Sequence, residues 1–167
     1  MFAPHGKNAT KPFSLAGRDT LARVVSVHDG DTLTAVLPFA GGFHRFAVRL
    51  EGIDACEVTS KAPANKRLAA LARARLCELI SGCIGCIQDA EFERRVHLVR
   101  LECGGFDKYG RILASVFHPY SQDARSFNQT LVLERLAYVY GGKKKLTEAE
   151  QVSLLTEDDA AAPSLGC

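Results

Sequence analysis

The stretch LARVVSVHDGDTLTAVLPFAGGFHRFAVRLEGIDACE, residues 21–57, decides the fold. Residues 21–27 and 32–37 are rich in β-branched residues and are separated by His28-Asp29-Gly30-Asp31, whose Asp29-Gly30 step is a strong turn signal. Residues 43–50 alternate, with Phe43, Arg45, Ala47 and Arg49 on one face and His44, Phe46, Val48 and Leu50 on the other. That period of two predicts a third strand. Three strands in succession make a meander.

Further along, residues 51–63 read as a loop. From residue 64 to about residue 80 the composition turns to Ala, Leu, Arg and Lys, all good helix formers. On a helical period Leu68, Leu71, Ala72, Leu76 and Leu79 share one broad face. Arg75 falls inside that stripe, so either its stem is buried and its head snorkels, or the helix is short. Ser81-Gly82 ends it. Residues 95–103 and 111–117 are two more strands, and a second helix is expected over about residues 125–135. The aromatic segment Ala137-Tyr138-Val139-Tyr140 follows, and Gly141-Gly142 breaks it. Thr147 with Glu150 three residues on is a capping-box pattern, which predicts a short third helix. The order β-β-β-α-β-β-α predicts a small curled barrel with helices against it rather than a parallel sheet.

A chain of 167 residues and 18.1 kDa predicts one domain with a sizeable core. We divide it into a flexible lead-in (residues 1–20), the barrel domain (21–145) and an acidic tail (146–167). An apolar content of 47% argues against wholesale disorder. No apolar run of about 18 residues occurs, so no membrane span is expected. The N-terminal residues lack the pattern of a secretory signal, so an intracellular or virion-associated protein is expected; separately, a monomer is expected.

The formal charge of +2 conceals a partition. Residues 1–145 hold all 21 basic side chains and 14 acids, and residues 146–167 hold five acids and no base. A body of net +7 with a tail of net −5 suggests a polyanionic partner for the body. The tail is expected to temper nonspecific binding or to fold back over the basic surface.

Two acidic clusters flank the second hairpin: Asp29 and Asp31 before strand 2, and Asp54 with Glu57 after strand 3. Carboxylate oxygens gathered at strand ends suit Ca²⁺ or Mg²⁺, although the spacing is not that of an EF-hand. The alternative is two ordinary turns with solvated acids. Of the six cysteines, Cys83 and Cys86 have the spacing of a metal knuckle without a second knuckle. Structural zinc, disulfides and free thiols all stay open for Cys56, Cys77, Cys83, Cys86, Cys103 and Cys167.

The blocks VHDGDTLTAVLP, VRLEGIDACE, DKYGRILASV and NQTLVLERLAYVY, in this order and each charged block at the end of a β-run, resemble the successive motifs of staphylococcal-nuclease-like domains. The resemblance covers about residues 21–140. It implies a mainly β fold, a five-stranded OB-fold barrel packed with two to three α-helices. It also implies Ca²⁺-dependent phosphodiester hydrolysis of DNA, with RNA left open, that cleaves on the 5′-oxygen side and leaves 3′-phosphate ends. Carried over residue by residue, it makes Asp31, Asp54 and the Ala55 backbone carbonyl the calcium ligands. Glu57 becomes the catalytic glutamate, and Arg49 and Arg111 the two phosphate-binding arginines. Lys108, Tyr109, Tyr138 and Tyr140 would lie beside the nucleotide.

The chemistry is coherent. Two guanidinium forks and a divalent cation oppose the negative charge that builds on phosphorus oxygens in the transition state. Glu57 would orient or deprotonate the attacking water. For the two tyrosines, packing against the barrel competes with stacking on a base. For the arginines, surface pairs Arg49–Glu51 or Arg111–Asp107 are the bland alternative.

Several positions depart from the family pattern. Ala55-Cys56 stands where Thr-Pro is usual, which frees the backbone that places Glu57. The basic loop after the glutamate is reduced to residues 58–63. Arg135 stands where a left-handed Gly is expected, and residues 82–93 make an extra-long connection. A non-catalytic OB-type module that binds nucleic acid or protein is the alternative function, and an idle site in a virion or scaffold protein is a third.

Overall fold

The first strand, β1 (Arg18–Asp29), is long enough to serve two neighbours. Its first half pairs with β5 (His97–Phe106), from Arg18↔Cys103 to Val24↔His97. Its second half pairs with β2 (Thr32–Phe39), from Arg23↔Val36 to Asp29↔Thr32, with register shifts at Val24/Ser26 and Val27/Asp29. Bulges of this kind increase the local twist and let one strand turn a barrel corner. In this computed structural model, residues 5–84, 89–120 and 125–156 are described.

The barrel closes as β1-β2-β3-β6-β5, with β3 at Gly42–Leu50 and β6 at Ile112–Phe117. Every pairing is antiparallel except β3–β6, which runs parallel through Val48↔Ile112, Arg49↔Leu113 and Leu50↔Ala114. The expected five-stranded barrel is therefore present. Inward residues such as Val24, Leu33, Leu37, Val48, Leu101 and Ile112 are fully enclosed. A second, two-stranded sheet joins β4 (Ile53–Asp54) to β7 (Tyr138–Val139), with Asp54 opposite Tyr138.

Helix α1 (Pro63–Ser81) starts with Pro63 in its first turn and ends at Gly82, whose φ is 70° and whose N–H donates to the Glu78 carbonyl at 2.8 Å. Its buried face is Asn65, Ala69, Ala72, Leu76, Cys77 and Ile80. Leu71, expected on that face, is exposed instead, because the apolar stripe lies one step round the helix. The helix is long, so the Arg75 ambiguity resolves. Its guanidinium stays part-exposed and forks onto Glu134 at 2.7 and 2.8 Å, with Glu78 at 3.2 Å.

The connection read as merely long contains α2 (Asp89–Arg94). Its anchor is Phe92, fully buried, with its ring edge-on to His97 at 5.2 Å. Helix α3 (Phe127–Leu133) begins on a capping box in which Ser126 accepts from the Gln129 N–H and the Gln129 side chain accepts from the Ser126 N–H. The expected left-handed residue after it is Arg135, at φ 56°.

Helix α4 (Glu148–Thr156) is the short third helix predicted from Thr147 and Glu150. It buries Gln151 and Leu155, and Leu155 clusters with Cys56, Ala69 and Tyr138. Residues 146–156 are thus joined to the barrel by burial. Glu157, Asp158 and Asp159 of the acidic tail, and Cys86 and Cys167, lie outside the described residues. Among the described residues, no disulfide links Cys56, Cys77, Cys83 and Cys103, and no helix is long and apolar enough to cross a membrane.

The two hairpin turns make opposite demands on their residues. Gly30, between β1 and β2, packs under α1 so closely that a Cβ there would stand 2.5 Å from the Ala72 Cβ. Ala40-Gly41, between β2 and β3, has φ of 48° and 80°, the signature of a two-residue hairpin turn that favours Asn-Gly. Gly30→Ala is expected to cost about 1–3 kcal/mol by overpacking. Ala40→Asn, at an exposed position, should add a few tenths to about 1 kcal/mol by relieving a left-handed Ala. Urea unfolding of both variants checks the pair, and the same sign of change in both would contradict this reading of the turns.

Candidate functional site

Asp31 follows Gly30 in the two-residue turn between β1 and β2, and it is 3% exposed. Its backbone carbonyl accepts the Leu50 N–H at 2.8 Å, which ties the turn to the end of β3. Register then places Arg49 directly opposite Thr32. Although Arg45 on the same strand face is exposed, Arg49 is buried between two carboxylates. Its Nη2 lies 2.9 Å from Asp31 Oδ2 and also contacts Asp54 Oδ1. One guanidinium nitrogen therefore bridges both aspartates. Arg49 does not pair with Glu51, the bland alternative.

The remaining lone pairs are filled. Asp31 accepts the Thr32 hydroxyl at 2.8 Å and the Ala55 N–H at 3.2 Å. Asp54 Oδ2 accepts the Tyr138 hydroxyl at 2.5 Å, a contact that the Asp54↔Tyr138 pairing of β4 and β7 makes inevitable. Lys145 reaches Asp54 Oδ1 at 2.8 Å and Glu57 Oε1 at 3.1 Å. Glu57 itself is exposed at the rim.

Charge does not balance inside. Burial pushes the Asp31 carboxyl above its ordinary value, and the facing Asp54 adds to that, outweighing the pull of Arg49, Thr32 and the Ala55 N–H. Arg49 is held up by Asp31 and Asp54 in spite of its burial. The two directions are consistent, because the guanidinium gains from two anions while Asp31 has only a share of one cation. Burial also raises the Tyr138 phenol, together with its Asp54 contact, to about 12, so it stays a neutral donor.

Arg111 enters the same region from the start of β6, which the parallel pairing sets beside Arg49. Its Nε donates to Asp107 Oδ2 at 2.6 Å, and Asp107 Oδ1 accepts the Tyr109 and Arg111 N–H groups at 2.9 Å each. The Arg111–Asp107 pair that sequence offered as a bland surface contact thus exists, and it holds Arg111 at the wall of a cleft of about 820 Å³. Lys108, Tyr109, Tyr140, Lys143 and Lys145 line the same cleft. Tyr109 is 72% exposed, with Lys108 Nζ 4.9 Å and the Arg111 guanidinium 5.3 Å from its ring centroid.

The two later tyrosines part company. Tyr140 is half-buried and lines the cleft, its hydroxyl donating to the Lys143 carbonyl at 3.1 Å. Tyr138 is 6% exposed, so its ring offers no face for stacking; its hydroxyl serves Asp54. The expected loosening of Glu57 by Cys56 is also corrected. Cys56 is buried with the Asn65 amide 3.6 Å from its sulfur, and the Val58 N–H donates to Asp29 at 3.2 Å. Packing on one side and a hydrogen bond on the other hold the backbone around Glu57 where Pro is missing. Arg100, on β5, is engaged by Asp19 at 2.8 Å and Glu102 at 2.7 Å.

Sequence reading missed the contact of Lys145 with Asp54 and missed Thr32 as a support of Asp31. The Lys145 contact depends on a chain reversal at Gly142 (φ 79°) that residue types alone do not specify.

No cluster of three or more His, Cys, Asp or Glu side chains suited to a metal occurs among the described residues. The donor set at Asp31 and Asp54 is two carboxylates that share one guanidinium nitrogen, with the Lys145 ammonium also on Asp54. Ca²⁺ takes oxygen ligands at about 2.3–2.6 Å and completes its shell with carbonyls and water, so two carboxylates and a carbonyl are a fitting partial set. No match to a curated protein was found. The Staphylococcal nuclease homologue family matches residues 47–166, more than half of the chain and including Arg49, Asp54, Glu57 and Arg111. With that match and the closed five-stranded barrel, the chain belongs to the Staphylococcal nuclease homologue family.

Proposed function

We propose that the protein is a Ca²⁺-dependent phosphodiesterase that cleaves DNA, and RNA as a second substrate, on the 5′-oxygen side. The observation that carries this reading is Arg49 held between Asp31 and Asp54 at the edge of a cleft that also holds Arg111. A structural ion pair needs one acid per base. Here two buried acids share one buried base, and the second cation, Lys145, reaches Asp54 from the part-exposed rim, where another cation can take its place.

Asp31, Asp54 and the Ala55 carbonyl would hold the cation. When bound, it would lower the pKa of a coordinated water and oppose charge on the phosphoryl oxygens. Arg49 and Arg111 present guanidinium groups to those oxygens, with the bidentate geometry that Lys lacks. Glu57, exposed at the rim, takes or orients the proton of the attacking water. Lys108 and Tyr109 offer a cation and an open ring beside Arg111, where a phosphate and its base can bind together.

Digestion of plasmid and single-stranded DNA, and of RNA, tests the reading. Cleavage is expected in Ca²⁺ and lost with chelator, and Glu57→Gln or Arg49→Lys should lower the rate about 100-fold or more. Equal rates with chelator, or in Glu57→Gln, would overturn the mechanism. Strand binding without cleavage in Ca²⁺ would leave the non-catalytic module instead.

The charge imbalance makes a second prediction. A carboxyl whose folded value is raised contributes its full stability below its ordinary value of 3.8 and loses it as pH rises through the folded value. Asn at position 31 has no such loss. Asp31→Asn should therefore unfold at higher urea than the natural chain at pH 8, with the advantage shrinking towards pH 4. A lower midpoint for the variant at pH 8 would contradict the raised Asp31.

A further inference from the structure

We propose that Lys145 is a tethered cation that occupies part of the divalent-ion position and must be displaced before the ion binds, so that it sets the ion concentration at which the site fills. The proposal rests on the reading of Asp31 and Asp54 as cation ligands.

Asp54 is 1% exposed, yet the Lys145 ammonium reaches its Oδ1 at 2.8 Å. Oδ1 already carries Arg49, and Oδ2 carries the Tyr138 hydroxyl. An incoming ion can gain Oδ1 only if one cationic donor leaves. Arg49 is fixed by both aspartates and by the Ile53 carbonyl at 3.4 Å. Lys145 has Asp54 and, at the rim, Glu57 at 3.1 Å, and its side chain is 43% exposed. Lys145 is therefore the donor that yields. Releasing its four-carbon stem also returns rotamer entropy.

The contact is built into the chain. Gly142 takes a left-handed turn, the Tyr140 hydroxyl clamps the Lys143 carbonyl, and the Leu146 N–H donates to the Tyr138 hydroxyl at 3.3 Å. Lys145 lies between these two anchors. Lys143 and Lys144 carry the same charge in the same run, and neither makes an ion pair with Asp54 or Glu57.

Calorimetric titration of CaCl₂ into the full chain tests this, with circular dichroism to check folding. Lys145→Ala and Lys145→Gln are expected to bind Ca²⁺ about tenfold more tightly than the natural chain. Lys143→Ala and Lys144→Ala should stay within about twofold. Equal tightening in all four variants would assign the effect to net charge and overturn the proposal. Unchanged affinity in the Lys145 variants, with binding lost in Asp54→Asn, would overturn the competition alone and leave the ion site standing. Absence of saturable Ca²⁺ binding in every variant, or binding that survives Asp54→Asn, would overturn the site reading and this inference with it.

Discussion

Arg49 is 8% exposed and holds two buried carboxylates, and the rest of this end of the molecule is arranged around that fact. Taking charges out of water costs several kcal/mol each unless geometry and hydrogen bonding compensate. The compensation is visible at every atom of Asp31 and Asp54. A hydroxyl from Thr32, an N–H from Ala55, a phenol from Tyr138 and an ammonium from Lys145 complete what one guanidinium leaves unmet. Removing Arg49 would strand two anions together, so it is the member whose loss the structure tolerates least.

Topology is what makes such a cluster possible. Asp31 immediately precedes β2, Arg49 sits near the end of β3 and Asp54 belongs to β4, so three successive strands deliver three charges to one place. The single parallel pairing, β3 with β6, then sets Arg111 at the same end, because the preceding connection must arrive beside Arg49. The small β4–β7 sheet brings Tyr138 from 84 residues away. From there α4 packs back on α1 through Gln151, whose amide oxygen accepts from Asn65 at 3.1 Å. The C-terminal helix thereby supports the strand that carries the phenol.

Most of this was legible where local pattern and burial agree. Alternation in residues 43–50, the Asp-Gly turn and the Ala/Leu-rich helix each state a local preference that the barrel then uses. The acids and arginines were legible because the charged blocks recur at strand ends in a known order. What escaped depends on contacts distant in sequence. Helix α2 has no apolar period; a single Phe92 inserted beside β1 holds it. Leu71 fits an ideal apolar stripe and is nonetheless exposed, because Ala69 and Ala72 let α1 approach the barrel on a neighbouring face. Tyr138 and Tyr140 look alike in sequence, but Tyr138 lies in β7 opposite Asp54, whereas Tyr140 falls just beyond that strand and lines the cleft. The capping box at Ser126 and Gln129 was readable from sequence and marks the true start of α3 two residues after the expected one.

The expense of this site is carried by charge and not by backbone strain. Around it, the left-handed positions are glycines: Gly52 between β3 and β4, Gly110 before Arg111 and Gly142 before the lysines, with φ of 77° to 80°. The two non-glycine residues with positive φ among those described, Ala40 and Arg135, lie in the distal β2–β3 hairpin and after α3. A left-handed L-residue costs about 1–2 kcal/mol, and it falls where no charged group of the site has to be aimed. The loops that aim Arg111 and Lys145 are relaxed, so nothing in the backbone resists a change in which cation Asp54 holds. Two buried carboxylates on a relaxed frame, one of them held by a part-exposed lysine, can exchange one cation for another. Strain would instead favour one fixed geometry.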